Sequence, residues 1–331
     1  MKVFSILIAF AGAVLFSGCK KSSTELNPSL AYVGEKILVR KVFLNPSGTG
    51  TGYACGGVKG SAGGIYRTTD MGQSWTKVWD AGAEEIYDVF FANDSVGYAC
   101  GDNLTMLKTT NSGSQWFRIN SNPLFYKAPS YPLKRVFFTD ALNGYMAGGE
   151  GFDLGITLRT VNGGLSWLYT TYPREMRDVY FSDSARGFVC GYGIVLNTGD
   201  GDKSTETCNV KGDFFTCMCA TPNKTLFVAG YSGGIFRSTD SGANWVQVYS
   251  SGSNFNAIAY YSDQEVYVVG NNGIFVWTQD GGSTWKTLKS FTAANLYTVC
   301  VESYYSLATL RAGPTANLLI GSDQGNVYRI N

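Results

Sequence analysis

Hydrophobic residues in this chain fall into short runs rich in aromatic and β-branched side chains, and the runs return in a fixed order. The clearest unit is Ile86-Tyr87-Asp88-Val89-Phe90-Phe91 followed by Gly97-Tyr98-Ala99-Cys100-Gly101. Equivalent pairs are Val42-Phe43 with Tyr53 to Gly56, Val136-Phe137 with Tyr145 to Gly148, and Val179-Tyr180 with Phe188 to Gly191. Three more are Met218-Cys219 with Phe227 to Gly230, Ile258-Ala259 with Tyr267 to Gly270, and Val299-Cys300 with Leu318 to Gly321, which makes seven units. Runs of this length and content predict β-strands, and no stretch sustains a helical period.

A third short run, as in Gly64-Ile65-Tyr66-Arg67, leads each time into the pattern Thr/Ser-x-Asp/Asn-x-Gly-x-x-Trp. Good copies hold Asp70, Gly72 and Trp75; Asn111, Gly113 and Trp116; Asn162, Gly164 and Trp167; Asp240, Gly242 and Trp245; and Asp280, Gly282 and Trp285. A degenerate copy starts at Thr198-x-Asp200, and positions 70, 111, 162, 200, 240 and 280 are spaced by 41, 51, 38, 40 and 40 residues. That period is the length of a four-stranded propeller blade. The pattern predicts a tight turn in which Asp or Asn bonds its own backbone and Gly takes a positive φ. The Trp then opens a fourth strand and buries its ring against the turn. The last unit stops at Val327-Tyr328-Arg329-Ile330 with no fourth strand behind it, which would leave an open sheet edge. Leu30-Ala31-Tyr32-Val33, just ahead of the first unit, is placed to supply the missing strand. The expected fold is an all-β, seven-bladed β-propeller over residues 29–331, its ring closed by the N-terminal segment.

The turn pattern resembles the Asp-box, or bacterial neuraminidase repeat. That resemblance implies a structural role for the box residues, because the same turn serves propellers of unrelated activity. Units of the form Val-x-Phe, Gly-Tyr-x-x-Gly and Arg-Thr-Thr-Asp-x-Gly-x-x-Trp resemble those of the photosystem II stability and assembly factor family. The resemblance implies a non-enzymatic scaffold that binds protein, without naming the client. Sialidase-type glycoside hydrolases also carry Asp-boxes on a propeller, and the alternative is therefore an enzyme or a glycan-binding propeller. That family needs three clustered arginines, a Tyr/Glu nucleophile pair, an acidic residue and an Arg-Ile-Pro motif on a six-bladed ring. The chain has seven units and no Arg-Ile-Pro.

The N-terminus has a different character. Lys2 precedes the apolar run Val3 to Phe16, too short to span a bilayer but laid out as an export signal. The run ends in Leu15-Phe16-Ser17-Gly18-Cys19, which resembles a lipoprotein signal-peptidase site. Residues 1–18 are read as the signal, Cys19 as the lipidated N-terminus and residues 19–28 as a tether. The chain is thus expected in the bacterial cell envelope, held to a membrane by lipid. Of the remaining cysteines, Cys55, Cys100 and Cys190 share one repeat column while Cys219 and Cys300 share another, both apolar. Equivalent positions in adjacent blades lie about 10 Å apart, beyond disulfide reach. They read as small hydrophobes, and only Cys208 and Cys217 are placed to pair.

Composition removes several chemistries. There is no histidine, so Ser-His-Asp and Cys-His sites and imidazole metal sites are excluded. No phosphate-cradling glycine fingerprint occurs in a strand-to-helix context. A net charge of +1 gives no nucleic-acid footprint. Asp200-Gly201-Asp202-Lys203-Ser204-Thr205-Glu206 spaces oxygen ligands like a small calcium loop, but a decayed turn explains it as well. No cofactor or metal is implied.

In the expected strand order, the turns with the Asp/Asn pattern lie at one end of the ring. The other end carries the irregular segments: Val58 to Gly63, Asn120 to Leu133, Gly149 to Gly155 and Tyr169 to Met176. Irregular loops on a rigid scaffold are where function usually sits. At the start of the innermost strands on that face the repeat places Arg40 and Lys41, Lys134 and Arg135, and Arg177 with Arg174 just ahead of it. Phe125, Tyr126 and Tyr131 add aromatic groups beside them. These residues are the candidate partner-binding site, for a protein or a glycan. The alternative is that the charges pair with Asp88, Asp178, Glu84 and Glu85 and merely solvate the rim.

Overall fold

The computed structural model describes residues 28–45, 47, 49–119, 130–210, 214–288, 291–302 and 317–330. The export signal, Cys19 and most of the tether lie outside the described residues, as do Phe125 and Tyr126. Seven antiparallel four-stranded sheets follow one another around a ring, each contributing one blade. Six blades run in sequence order from the innermost strand outwards, beginning with Leu38–Leu44, Gly52–Val58, Ala62–Thr68 and Thr76–Gly82. The seventh takes three strands from the C-terminal end and its outermost strand, Ser29–Tyr32, from the N-terminal end. Leu30 pairs with Tyr328 and Ala31 with Val327. Just beyond, Val33 and Ile37 are buried in one cluster with Val39 and Leu319. Among the described residues no helix is long and apolar enough to cross a membrane.

The turn between third and fourth strands is built as its pattern predicts. The Thr68 hydroxyl donates to Asp70 Oδ1 at 2.6 Å and accepts the Gly72 N–H at 2.9 Å, while the Gln73 and Ser74 N–H groups donate to Asp70 Oδ1 at 3.0 and 2.9 Å. Asn111 and Asn162 do the same work through Oδ1. In the fourth blade the geometry survives although the glycine position holds Asp202 at φ +69°. The Asp202 N–H still donates to Thr198 Oγ1 at 3.0 Å. Its carboxylate turns inward and accepts the Thr157 and Tyr172 hydroxyls of the third blade. The loop is therefore a repurposed turn. The tryptophans divide: Trp116 and Trp167 are buried, whereas Trp75, Trp245 and Trp285 are half-buried, so the expectation of full burial holds for two.

These turns also bind the blades together. The aromatic ring opening a second strand lies under the turn glycine of the next blade, so a Cβ on Gly113 would sit 2.4 Å from the Tyr53 ring, and one on Gly242 would sit 2.5 Å from Phe188. The pattern thus needs glycine twice over, for its positive φ and for this approach.

Two expectations are corrected. In the seventh blade the second strand is displaced by one residue, because Cys300 pairs with Leu319 and Leu296 with Ser322. Leu319, not Leu318, stands where Tyr53 does, and Ser322 replaces the usual glycine. The segments Val58 to Gly63 and Gly149 to Gly155 are not loose insertions but longer hairpins, with strands Gly52–Val58 and Gly144–Glu150 running past their counterparts. The cysteines among the described residues are free thiols, so Cys208 and Cys217 do not pair. Burial pushes the Cys55, Cys100 and Cys190 thiols well above their usual range, so they stay protonated and apolar in character.

Candidate functional site

Every innermost strand carries the same irregularity near its start. The ladder slips by one residue between Val39 and Lys41, Ile86 and Asp88, Leu133 and Arg135, and Met176 and Asp178. It does so again in blades five to seven. The bulged residues are Arg40, Tyr87, Lys134 and Arg177, then Thr216, Asn256 and Tyr297. An extra unpaired residue re-aims its side chain, and here all seven line one cavity of about 360 Å³ over the central channel, together with Tyr231. In blades one to six a glycine of the second strand, opposite the start of the bulge, makes room for it. A Cβ at Gly56, Gly191 or Gly270 would sit 1.9 Å from the carbonyl oxygen that the bulge pushes towards it.

One residue deeper lies a different ring. Lys41, Asp88, Arg135 and Asp178 alternate in charge around blades one to four. Arg135 Nε is 2.9 Å from Asp178, Arg135 Nη1 is 3.6 Å from Asp88, and Lys41 is 3.8 Å from Asp88. Both carboxylates also accept backbone N–H groups of the following blade, Val136 to Asp88 Oδ2 at 2.9 Å and Met218 to Asp178 Oδ2 at 2.8 Å. Burial raises the Asp178 pKa against the pull of Arg135, and burial with the Arg135 charge lowers that of Lys41. These charges are mortar between blades. Lys41 and Arg135 accordingly do not reach the mouth of the channel, contrary to the sequence expectation; their carboxylate partners hold them below it. Deeper still, Phe43, Phe90, Phe137 and Tyr180 form a ladder of ring contacts at 6.0, 5.5 and 5.7 Å.

At the mouth itself, Arg40 Nε meets Glu85 at 2.6 Å and Arg177 Nε meets Glu175 at 2.7 Å. The Arg40 guanidinium lies 4.8 Å from the Tyr297 ring and that of Arg177 4.8 Å from the Phe214 ring. Lys134 makes no ion pair among the described residues; its ammonium lies 3.6 Å from the Tyr87 ring centroid. Burial, and then the charges of Arg177 and Arg40, pull it down to about 7 against Glu175 and Glu85. Arg174 is exposed and donates to the Tyr192 carbonyl at 3.3 Å. Tyr131 stands outside the ring, packed on the core of the third blade, its carbonyl accepting the Leu104 N–H at 3.1 Å.

Sequence reasoning missed Tyr87, Thr216, Asn256 and Tyr297, although each occupies the repeat column of Arg40 and Arg177. It also missed an aromatic cluster beside Arg177: Phe152, Tyr192, Phe214 and Tyr231 have ring centroids 4.9 to 5.6 Å apart along their contacts. Phe152 and Tyr192 are exposed. Nearby, the tips of the two long hairpins meet across the second blade through Lys59 and Glu150 at 3.1 Å.

A larger cavity, about 570 Å³, opens at the opposite end between blades four and five. Of the three carboxylates in its lining, Glu206 lies on the outermost strand of blade four and the other two are occupied in their own turns. Asp200 accepts from Lys203 and Ser204, which hold it down at about 2, and Asp183 accepts from Ala185 and Arg186. The channel mouth, where side chains from all seven blades converge, is the better site.

Residues 195–327 match the family described as DUF6242 beta propeller domain. Comparison with the curated proteins found no match. Among solved structures the chain is similar to YCF48 bound to D1 peptide, at 21% identity and a TM-score of 0.68 over 92% of this chain and 96% of that one. YCF48 from Cyanidioschyzon merolae is similar at 16% identity and a TM-score of 0.67, over 92% and 98%. The GH74 xyloglucanase from Xanthomonas campestris gives 14% and 0.67 over 91% of this chain but 53% of its own. At these identities the likeness is one of fold: the protein is a seven-bladed β-propeller, a class that includes both binding proteins and enzymes.

Proposed function

We propose that this chain is a non-enzymatic binding propeller of the bacterial cell envelope, anchored by lipid at Cys19, that docks a protein partner across the channel-mouth face. The observation that carries the reading is the make-up of that face. A cavity lined by three cations and no carboxylate adjoins the exposed rings of Phe152 and Tyr192. Cationic and aromatic groups side by side on a rigid rim are what protein interfaces use as anchors. The fold likeness to a peptide-bound YCF48 agrees with it, and the turns read as Asp-boxes in a structural role.

The alternative is a glycan-binding or hydrolysing propeller, and the xyloglucanase fold favours it only as architecture. Glycoside hydrolysis calls for two facing carboxylates, one with a raised pKa. At the channel mouth Glu85 and Glu175 stand behind arginines, and at the opposite cavity Asp183 and Asp200 are held low, which leaves Glu206 as the one other carboxylate of that lining.

Cross-linking and pull-down from native membranes test the proposal. Arg174→Glu with Phe152→Ser, both exposed, is expected to weaken capture by about 2 kcal/mol or more with an unchanged unfolding midpoint. Undiminished capture by the folded double variant removes this face. Hydrolysis of a fluorogenic sialoside by the wild type would instead establish the enzyme.

A further inference from the structure

The cations of the channel mouth are unequally satisfied. Arg40 and Arg177 each spend the Nε edge on a glutamate, Glu85 and Glu175, and no bond from their terminal nitrogens to any described residue is formed. A guanidinium held by its Nε keeps its two outer nitrogens as a donor pair of fixed geometry. Lys134, between them in blade order, has only the Tyr87 face. Three cations therefore face two carboxylates, leaving a surplus of one positive charge in a confined space. Burial, and then the charges of Arg177 and Arg40, hold the Lys134 ammonium at about 7, far below a solvated lysine. A cavity of about 360 Å³ is within the range of small-ligand sites, and its remaining lining (Thr216, Asn256, Tyr297) is polar and uncharged.

We propose that the channel mouth is a site for a single oxyanion, a carboxylate or a tetrahedral sulfate- or phosphate-type group, held by Lys134 and the outer nitrogens of Arg40 and Arg177. The anion supplies the charge that the ring lacks, and its binding is coupled to protonation of Lys134. Arg40, Arg177, Glu85 and Glu175 are the charged groups around that amine. The site is independent of the docking reading: the anion is either a free small molecule or the acidic side chain of a bound chain.

Calorimetric titration of the purified full-length protein separates these cases, with sodium sulfate, glutarate and the capped peptide acetyl-Ala-Glu-Ala-amide as probes between pH 6.5 and 8.5. Saturable binding of sulfate or glutarate identifies a free-anion site, and binding of the peptide alone identifies an acidic side chain; both support the proposal. Wild-type affinity is expected to be flat below pH 7 and to fall towards tenfold per pH unit above it, as binding comes to require proton uptake. Lys134→Met is expected to weaken binding at pH 6.5 by about tenfold or more, and Lys134→Arg to bind with no pH dependence. No saturable heat for any probe at tens of millimolar, or Lys134→Met binding as tightly as wild type, overturns the proposal. Because neither Arg174 nor Phe152 enters this test, its failure leaves the docking reading standing.

Discussion

The Tyr53 hydroxyl donates to the Ser112 carbonyl at 2.7 Å, joining the second strand of one blade to the outer turn of the next. Tyr98 repeats the bond to Gly163 at 2.9 Å. Blade contacts of this kind make the turn glycines structural. Gly113→Ala is expected to cost about 2 kcal/mol or more, combining backbone strain at φ +67° with a displaced Tyr53 ring. Gly60→Ala, at φ +79° with nothing within 4 Å, is the control and should cost about 1 kcal/mol. Chemical denaturation of both variants measures the difference, and equal losses would remove the inter-blade role of the glycine.

Closure of the ring rests on residues 29–37. A chain beginning at residue 28 is expected to melt like the mature protein. One beginning at residue 37 loses the Ser29–Tyr32 strand and buried Val33, a cost of about 4 kcal/mol or more from lost burial and an exposed sheet edge. Coincident thermal transitions of the two truncations would contradict closure from this end.

The turn aspartates predict a response to acid. The Asn244 N–H and side-chain amide, with the Ser238 hydroxyl, hold Asp240 at about 2, and, against a burial effect that raises it, the Thr284 hydroxyl and N–H and the Thr278 hydroxyl hold Asp280 at about 2. A carboxylate depressed by folding contributes stability that is present above its unfolded pKa, about 4, and is lost as pH falls through 2. Asp240→Asn and Asp280→Asn, which copy the natural Asn111 and Asn162, should fold normally at pH 7 and flatten the fall in stability between pH 4 and 2. Urea midpoints across that range give the measurement.

Arg135 and Arg177 should behave differently. Arg135→Met leaves Asp178 buried without a countercharge and Asp88 with Lys41 alone, and is expected to destabilise the ring by about 3–5 kcal/mol. Arg177→Met strips the countercharge from one buried glutamate, Glu175, instead of two carboxylates and should cost less, about 1–3 kcal/mol. Unfolding midpoints that rank the other way would contradict the assignment of mortar below and site above.

Blade number, strand order, the turn and the closing strand were all legible in the chain, because each rests on local rules that repeat. Alternation and β-branched content mark strands, and a hydroxyl, a carboxylate and a glycine at fixed offsets close a turn whatever surrounds them. Reading the repeat as a register failed in one place, the seventh blade, where Ser322 stands in for a glycine and shifted the apparent column to Leu318. The site was legible only in outline. Arg40-Lys41 and Lys134-Arg135 look alike in sequence, yet the bulge turns the first of each pair into the cavity and the second onto a carboxylate ring. Which cation is left unsatisfied depends on Glu85, Glu175, Asp88 and Asp178. Closing the ring sets Tyr297 beside Arg40, although the two are far apart in the chain. Electrostatic partners depend on separations in space, and only the tertiary structure decides those.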